Sequence, residues 1–171
     1  TASNNDLTVR LAALLHDIDK PRCFSRDDKG IGHFYGHAKL GEETARIILK
    51  RLRFDNTTLK NVCELIRHHD TPIDRTDTAV RRWLNKIGAE QLSRLLALKE
   101  ADSRAHNPDL MHSRFEELRD IRERMERLLA EDACFSLCDL CVNGHDLMAL
   151  GIPSGKKVGH CLQWLLGEVI D

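Results

Sequence analysis

Apolar positions in this chain recur at helical spacing almost throughout. Leu7, Leu11, Leu14, Leu15 and Ile18 fall at i, i+4, i+7, i+8 and i+11, predicting one face of a helix that must end before Pro21. Residues 21–36 form the longest irregular stretch, with Asp27-Asp28-Lys29-Gly30 as a turn and room for a short hairpin. A second helix begins near His37, with Ala38, Gly41, Ala45, Ile48, Leu49 and Leu52 on its buried side. Gly41 and Ala45 keep that side thin enough for a neighbouring helix to approach closely. A third helix, capped by Asn56 or Thr57, carries Leu59, Val62, Cys63 and Ile66 and ends in His68-His69-Asp70 before Pro72. Asp77 starts a fourth, through Val80, Trp83, Leu84 and Ile87, closed by Gly88. The fifth runs from about Glu90 to Ala105, with Leu92, Leu95, Leu96 and Leu98 ahead of Asp102.

Beyond Asn107-Pro108 the pattern predicts one long, charged helix over 109–131, striped by Met111, Phe115, Leu118, Ile121, Met125 and Leu128. Asp120–Arg124 and Glu123–Arg127 are favourable i, i+4 pairs on it. Breaks at Asn143-Gly144 and over 151–155 precede a final amphipathic helix using Val158, Leu162, Leu165, Leu166 and Val169. The fold class is therefore all-α.

Composition narrows the picture. At 171 residues the chain is one domain, or one with an appended helical lobe, and large enough to bury a core. Its net charge of -1 excludes a global basic field for nucleic acid, so RNA contacts would need local patches. No run of 18 apolar residues and no charged-then-apolar leader appear, which points to a cytoplasmic chain with no membrane partner. The six cysteines read as reduced thiols. Cys134, Cys138 and Cys141 match a CxxxCxxC spacing, but they would share one helical face as small buried residues. Trp83, Met148 and Trp164 are expected in the core.

The candidate chemistry lies in an ordered scatter of imidazoles and carboxylates. His16 and Asp17 end the first helix, His37 opens the second, His68 and His69 close the third, and Asp102 sits late in the fifth. Ligands at the ends of different helices can converge in a bundle. Imidazole with carboxylate suits Mn, Fe, Co, Ni or Zn, and such an ion can activate water near neutral pH. Taken singly, each residue also has a purely structural explanation. A buried Asp near an apolar stretch, however, asks for a cation.

LAALLHDIDKP resembles the LAALLHDIGKP signature of HD-domain metal phosphohydrolases. FYGHAKLGEETARIILKRLRF, LIRHHDTP and LALKEAD follow in that superfamily's order. The run is similar, more narrowly, to the HD region of bacterial tRNA CCA-adding nucleotidyltransferases and poly(A)-polymerase-like relatives. DLCVNGHDLMALGIPSGKKVGHCLQWLLGEVID resembles that family's closing element. The resemblance implies an HD-type helical bundle with a C-terminal helical extension. It divides the chain into an HD phosphohydrolase domain over 1–106 and a tRNA-binding-type helical body over 107–171. It also implies one or two divalent ions (Mg among the candidates) on His16, Asp17, His37, His69 and Asp102, with His68 replacing or accompanying His69. Asp17 and Lys20 would be catalytic, Lys20 meeting substrate phosphate. Lys156, Lys157, Arg81 and Arg82 are RNA-contact candidates, as is the cluster Lys50-Arg51-Arg53 with Lys60. The implied substrate is tRNA or a nucleotide phosphoester; the alternative is a non-catalytic tRNA-binding scaffold for a nucleotidyltransferase head. Asp19 stands where the signature has Gly, adding a carboxylate or distorting the loop. The family's first metal-binding His lies on an upstream helix, and no His precedes His16 here, so that helix and the head are expected outside this chain.

Overall fold

A computed structural model describes residues 5–105, 108–131 and 135–170, the side chains of residues 105 and 108–111 excepted. It is all-α, with one two-stranded antiparallel hairpin among the described residues. The helices are α1 (Leu7–Leu15), α2 (His37–Arg51), α3 (Asn56–His68), α4 (Asp77–Ala105), α5 (Pro108–Ala130), α6 (Gly144–Ala149) and α7 (Lys156–Ile170). Strands β1 (Ser25–Arg26) and β2 (Gly32–His33) make the hairpin expected between α1 and α2. The two helices expected on either side of Gly88 form one span, broken there by a left-handed, extended residue (φ 78°, ψ 164°) that glycine tolerates. The break lies beside the boundary between two compact units. One holds the chain up to Pro72 together with Glu90–Leu118; the other holds Ile73–Ala89 and everything from Arg119 onward.

In the first unit α3 packs against both α1 and α2. The buried face of α1 is Thr8, Val9, Ala12 and Leu15, offset from the predicted stripe; Leu14 is 77% exposed and Leu7 is also exposed. Leucine spacing alone misplaced that face, because the small Ala12 and β-branched Val9 fit the close contact better than a row of leucines. On α2 the thin side behaves as expected. A Cβ on Gly41 would sit 3.4 Å from the His16 carbonyl and 3.5 Å from Ile66 Cγ2, so the α2 backbone meets the end of α1 and a side chain of α3 there. Leu52, expected on the buried side, lies past the helix end and is exposed. The cap of α3 is Asp55 rather than Asn56 or Thr57, its Oδ1 accepting from the Thr58 amide at 2.9 Å. The later half of α4 supplies the fully buried Leu92, Leu95, Leu96 and Leu98. Arg94 ties that half to α1, its Nε donating to Asp6 Oδ2 at 2.8 Å while Asp6 Oδ1 caps α1 through the Thr8 and Val9 amides.

In the second unit the first half of α4 buries Val80, Trp83 and Leu84, α5 buries Ile121, Met125 and Leu128, and the C-terminal helices bury Leu147, Leu166 and Ile170. Asp77 accepts from both Arg124 and Arg127 at 2.8 Å. Asp120–Arg124 pairs as expected, whereas Arg127 turns to Asp77 and Glu131, and Glu123 pairs with Arg119. Asn143 and Asp146 form a capping box that starts α6. Two expectations fail here. Trp164 is 64% exposed and Met148 partly exposed, because the buried side of α7 is set by Leu166 and Ile170. Cys138 and Cys141 are exposed and lie around a single 3₁₀ turn (Leu137–Asp139) rather than on an α-helical face; Cys134 falls outside the described residues. No helix among the described residues is long and apolar enough to cross a membrane.

Candidate metal centre

Five of the predicted side chains converge in the first unit. The turn after α1 presents His16 and Asp17, the N-terminus of α2 presents His37, the end of α3 presents His69, and α4 presents Asp102. Each imidazole is aimed the same way. Nδ1 of His16 donates to the Ala13 carbonyl at 2.9 Å, Nδ1 of His37 to Phe34 at 2.7 Å, and Nδ1 of His69 to Ile66 at 2.7 Å. A carbonyl can only accept, so Nδ1 carries the proton; a neutral His37 or His69 ring then offers its Nε2 lone pair inward, whereas His16 Nε2 faces the Asp102 carboxylate, to which it donates when that ring is protonated. The three Nε2 atoms gather around Asp17. Those of His37 and His69 lie 3.1 Å apart and each 3.7 Å from Asp17 Oδ1; that of His16 lies 3.3 Å from Asp17 Oδ2 and 3.2 Å from Asp102 Oδ1.

The donor set fits a divalent cation. Asp17 Oδ1 is buried with no hydrogen-bond partner, a costly state for a carboxylate oxygen. Facing it, two inward lone pairs on His37 and His69 repel each other unless positive charge stands between them. Ligand atoms about 2.1 Å from one ion stand roughly 3.0–3.4 Å apart at tetrahedral or octahedral angles, close to these separations. One atom each from His16, Asp17 and His69 lies within 4.8 Å of the others. His37 and Asp102 adjoin that group through the contacts above, and on α3 it is His69, whose Nε2 lies 3.1 Å from that of His37, that reaches it.

Local electrostatics divides the imidazoles. The hydrogen bond to Asp102 raises the pKa of His16 despite the opposing effect of burial. Burial lowers that of His69, outweighing its bond to Ile66 and aided by repulsion from His16 and His37, so its Nε2 stays unprotonated and open to a cation. Lys20 follows Asp17 by three residues, and its Nζ pairs with Asp17 Oδ2 at 2.7 Å. Asp19 adopts ordinary backbone angles (φ −100°, ψ 6°), so the loop is not distorted where the signature has Gly. Its buried carboxylate pairs with Arg22 at 2.9 Å.

Sequence reasoning passed over Lys99. Its Nζ donates to the carbonyls of His69 (2.6 Å) and Thr71 (2.8 Å), gripping the turn that carries His69. The signal was present: Lys99 follows Leu92, Leu95 and Leu96 at i+7, i+4 and i+3, on the buried face of α4. Burial pulls its pKa down from 10.5 to about 8. His33, Phe34, Tyr35 and Arg114, which line a pocket together with Asp17, His37, His69 and Asp102, were missed as well.

Four of the RNA-contact candidates, Lys156, Lys157, Arg81 and Arg82, belong to the second unit, whereas Lys50, Arg51, Arg53 and Lys60 belong to the first. Lys156 and Lys157 are exposed at the start of α7. Arg81 has its Nε buried without a partner, whereas Arg82 is exposed and lines a cavity of about 490 Å³ with Asn85, Gln163 and Leu166.

The HD-domain family matches residues 2–143, a span that contains every converging ligand. The chain belongs to the HD-domain family. It is 35% identical to an A-adding tRNA nucleotidyltransferase of Deinococcus radiodurans, over 96% of this chain and 39% of that protein. It is 33% identical to a CC-adding tRNA nucleotidyltransferase of Thermus thermophilus, over 94% of this chain and 35% of that one. The HD chain thus spans little more than a third of the length of these relatives. No solved structure shows a significant match.

Proposed function

We propose that this chain is the HD region of a tRNA nucleotidyltransferase and that its His16, Asp17, His37, His69 and Asp102 centre hydrolyses nucleotide or RNA-end phosphoesters with a divalent metal. The observation that carries the reading is the orphaned, buried Asp17 Oδ1 with His37 and His69 Nε2 turned toward it, each at 3.7 Å. When bound, the ion supplies a Lewis acid for the phosphoryl group. The chain's own residues do the rest. Backbone carbonyls of Ala13, Phe34 and Ile66 fix the tautomer and tilt of the three rings, so the ligands are organised before anything binds. Asp102 Oδ1 lies 3.2 Å from His16 Nε2, beside the nitrogen that would face the ion, and so stands with the ligands rather than behind them. Lys20 and Arg114, both lining the pocket at the centre, place positive charge where a substrate phosphate enters. The names of the relatives speak of nucleotide addition rather than hydrolysis, and this favours a second reading in which the HD region is a tRNA-holding scaffold.

One experiment separates the two. Protein purified without chelator is analysed for Mn, Fe, Co, Ni and Zn, then assayed on adenosine 2′,3′-cyclic phosphate and on nucleoside monophosphates with added metal. The hydrolase reading expects bound metal, metal-dependent turnover, and loss of both in Asp17→Ala. Metal uptake unchanged in both His16→Ala and Asp17→Ala overturns the site. Metal-loaded but inert protein, with tRNA binding that weakens steeply with salt and in Lys156→Glu/Lys157→Glu, favours the scaffold.

A further inference from the structure

The pocket at the metal centre, about 400 Å³, has a second wall unlike the first. Beside Asp17, His37, His69 and Asp102 it is lined by His33 at the end of β2 and, where the chain continues from the hairpin into the turn before α2, by Phe34 and Tyr35. Aromatic rings that serve only to fill a core are buried. Tyr35 is 76% exposed, and Phe24 and Ile31 on the same hairpin are exposed too. Yet the Tyr35 ring is held in place. It stacks on His33 with centroids 4.9 Å apart and planes 11° from parallel. His33 in turn donates from Nε2 to Asp27 Oδ2 at 3.1 Å, while Asp27 Oδ1 accepts from the Lys29 and Ile31 amides at 3.0 and 2.8 Å. Asp27 therefore organises the turn and the aromatic pair together. Phe34 is fixed as well, tilted against Phe24 at 5.5 Å with Lys20 Nζ 5.7 Å from its ring centroid. The wall is aromatic, exposed and held by these contacts, and it stands beside the centre proposed above to act on phosphoesters.

We propose that this hairpin is a nucleobase platform. The pocket takes a nucleoside phosphate, free or as the unpaired terminal residue of an RNA, with its phosphate toward Lys20 and Arg114 and its base stacked on the outer face of Tyr35. Every base has a π-face, so such a platform accepts any unpaired nucleotide and discriminates against phosphoesters without a base. A second consequence is geometric. A base inside a duplex is stacked on both faces, and one in a terminal pair is tied to its partner and cannot splay into the pocket, so the platform selects single-stranded ends.

The substrate class rests on the phosphoester reading above, but its test can fail separately. Binding of adenosine 5′-monophosphate and of ribose 5-phosphate to the metal-loaded chain is measured by calorimetry, and phosphate release from both is followed alongside. Wild type is expected to bind the nucleotide at least tenfold more tightly than the sugar phosphate, the scale of one base–aromatic stack. Tyr35→Ala removes that preference without changing ribose 5-phosphate affinity, Tyr35→Phe keeps it, and Lys20→Ala weakens both ligands. Because Tyr35 is exposed, the Ala variant leaves the fold intact, as a thermal melt checks. Equal affinity of wild type for the two ligands, or a preference that survives Tyr35→Ala, overturns the platform. Absence of phosphate release from either ligand counts against the hydrolase chemistry alone; a Tyr35-dependent preference then still upholds the platform.

Discussion

Asp6 sits in front of the helix that delivers His16 and Asp17, and its loss should be felt at two levels. Its Oδ1 accepts from the Thr8 amide at 2.8 Å and the Val9 amide at 3.3 Å, satisfying two of the free donors that open α1. Its Oδ2 accepts from Arg94 Nε at 2.8 Å across to α4, where both side chains are mostly covered (27% and 19% exposed). Removing an N-cap costs about 1 kcal/mol, and a partly buried charge-assisted bond contributes ~1.5–3 kcal/mol. Asp6→Ala should therefore destabilise the first unit by roughly 2–4 kcal/mol, or about 5–15 °C in melting temperature for a chain of this size. Asp6→Asn keeps a competent cap and loses the charge, so about half of that loss is expected. Arg94→Ala should resemble Asp6→Asn, and the double variant should fall well short of additivity. The pH dependence has a definite sign. Burial pushes the Asp6 carboxyl up, but the Arg94 bond, with the Val9 and Thr8 amides, outweighs it and leaves the pKa below the ordinary 3.8. A depressed carboxyl contributes fully above 3.8 and loses its contribution as pH falls through the folded value. Urea unfolding at pH 7 and near pH 3, with amide exchange on α1, reads both effects. An Asp6→Ala chain within about 0.5 kcal/mol of wild type at pH 7 would refute the reasoning.

Two further outcomes follow from the site. His69→Ala should lower metal affinity at least tenfold while His68→Ala leaves it near wild type, as metal titration monitored by absorbance or calorimetry would reveal; equal loss in both sinks the choice between them. Lys99→Met frees the His69 carbonyl and should weaken metal binding about 10–100-fold, with partial retention in Lys99→Arg. Since burial holds the Lys99 pKa at about 8 against 10.5 unfolded, wild-type stability should rise with pH across that window and Lys99→Met should lose the rise; a rise surviving in Lys99→Met shows that another group titrates there.

The helices were legible in the chain because 3.6-residue periodicity and cap residues are local properties. So were the hairpin around Asp27–Gly30 and the Gly41–Ala45 approach. The candidate ligands were legible because imidazoles and carboxylates recurred together at the ends of several helices, and because their order resembled a known family. Tertiary structure decided the rest. Whether His68 or His69 reaches the centre depends on where α3 ends its last turn, a difference of one residue that rotates a side chain by about 100°. The buried face of α1 and the exposure of Trp164 depend on which neighbour covers each helix, which no single periodic stripe specifies. Lys99 became visible as the grip on the His69 turn only when α4 was laid against the end of α3, thirty residues away. That Tyr35, itself held by its near neighbour His33, shares a pocket with residues of α3 and α4 likewise appears only in the folded chain. Local order is written in neighbouring residues, whereas a site is made by surfaces that meet only once the chain has folded.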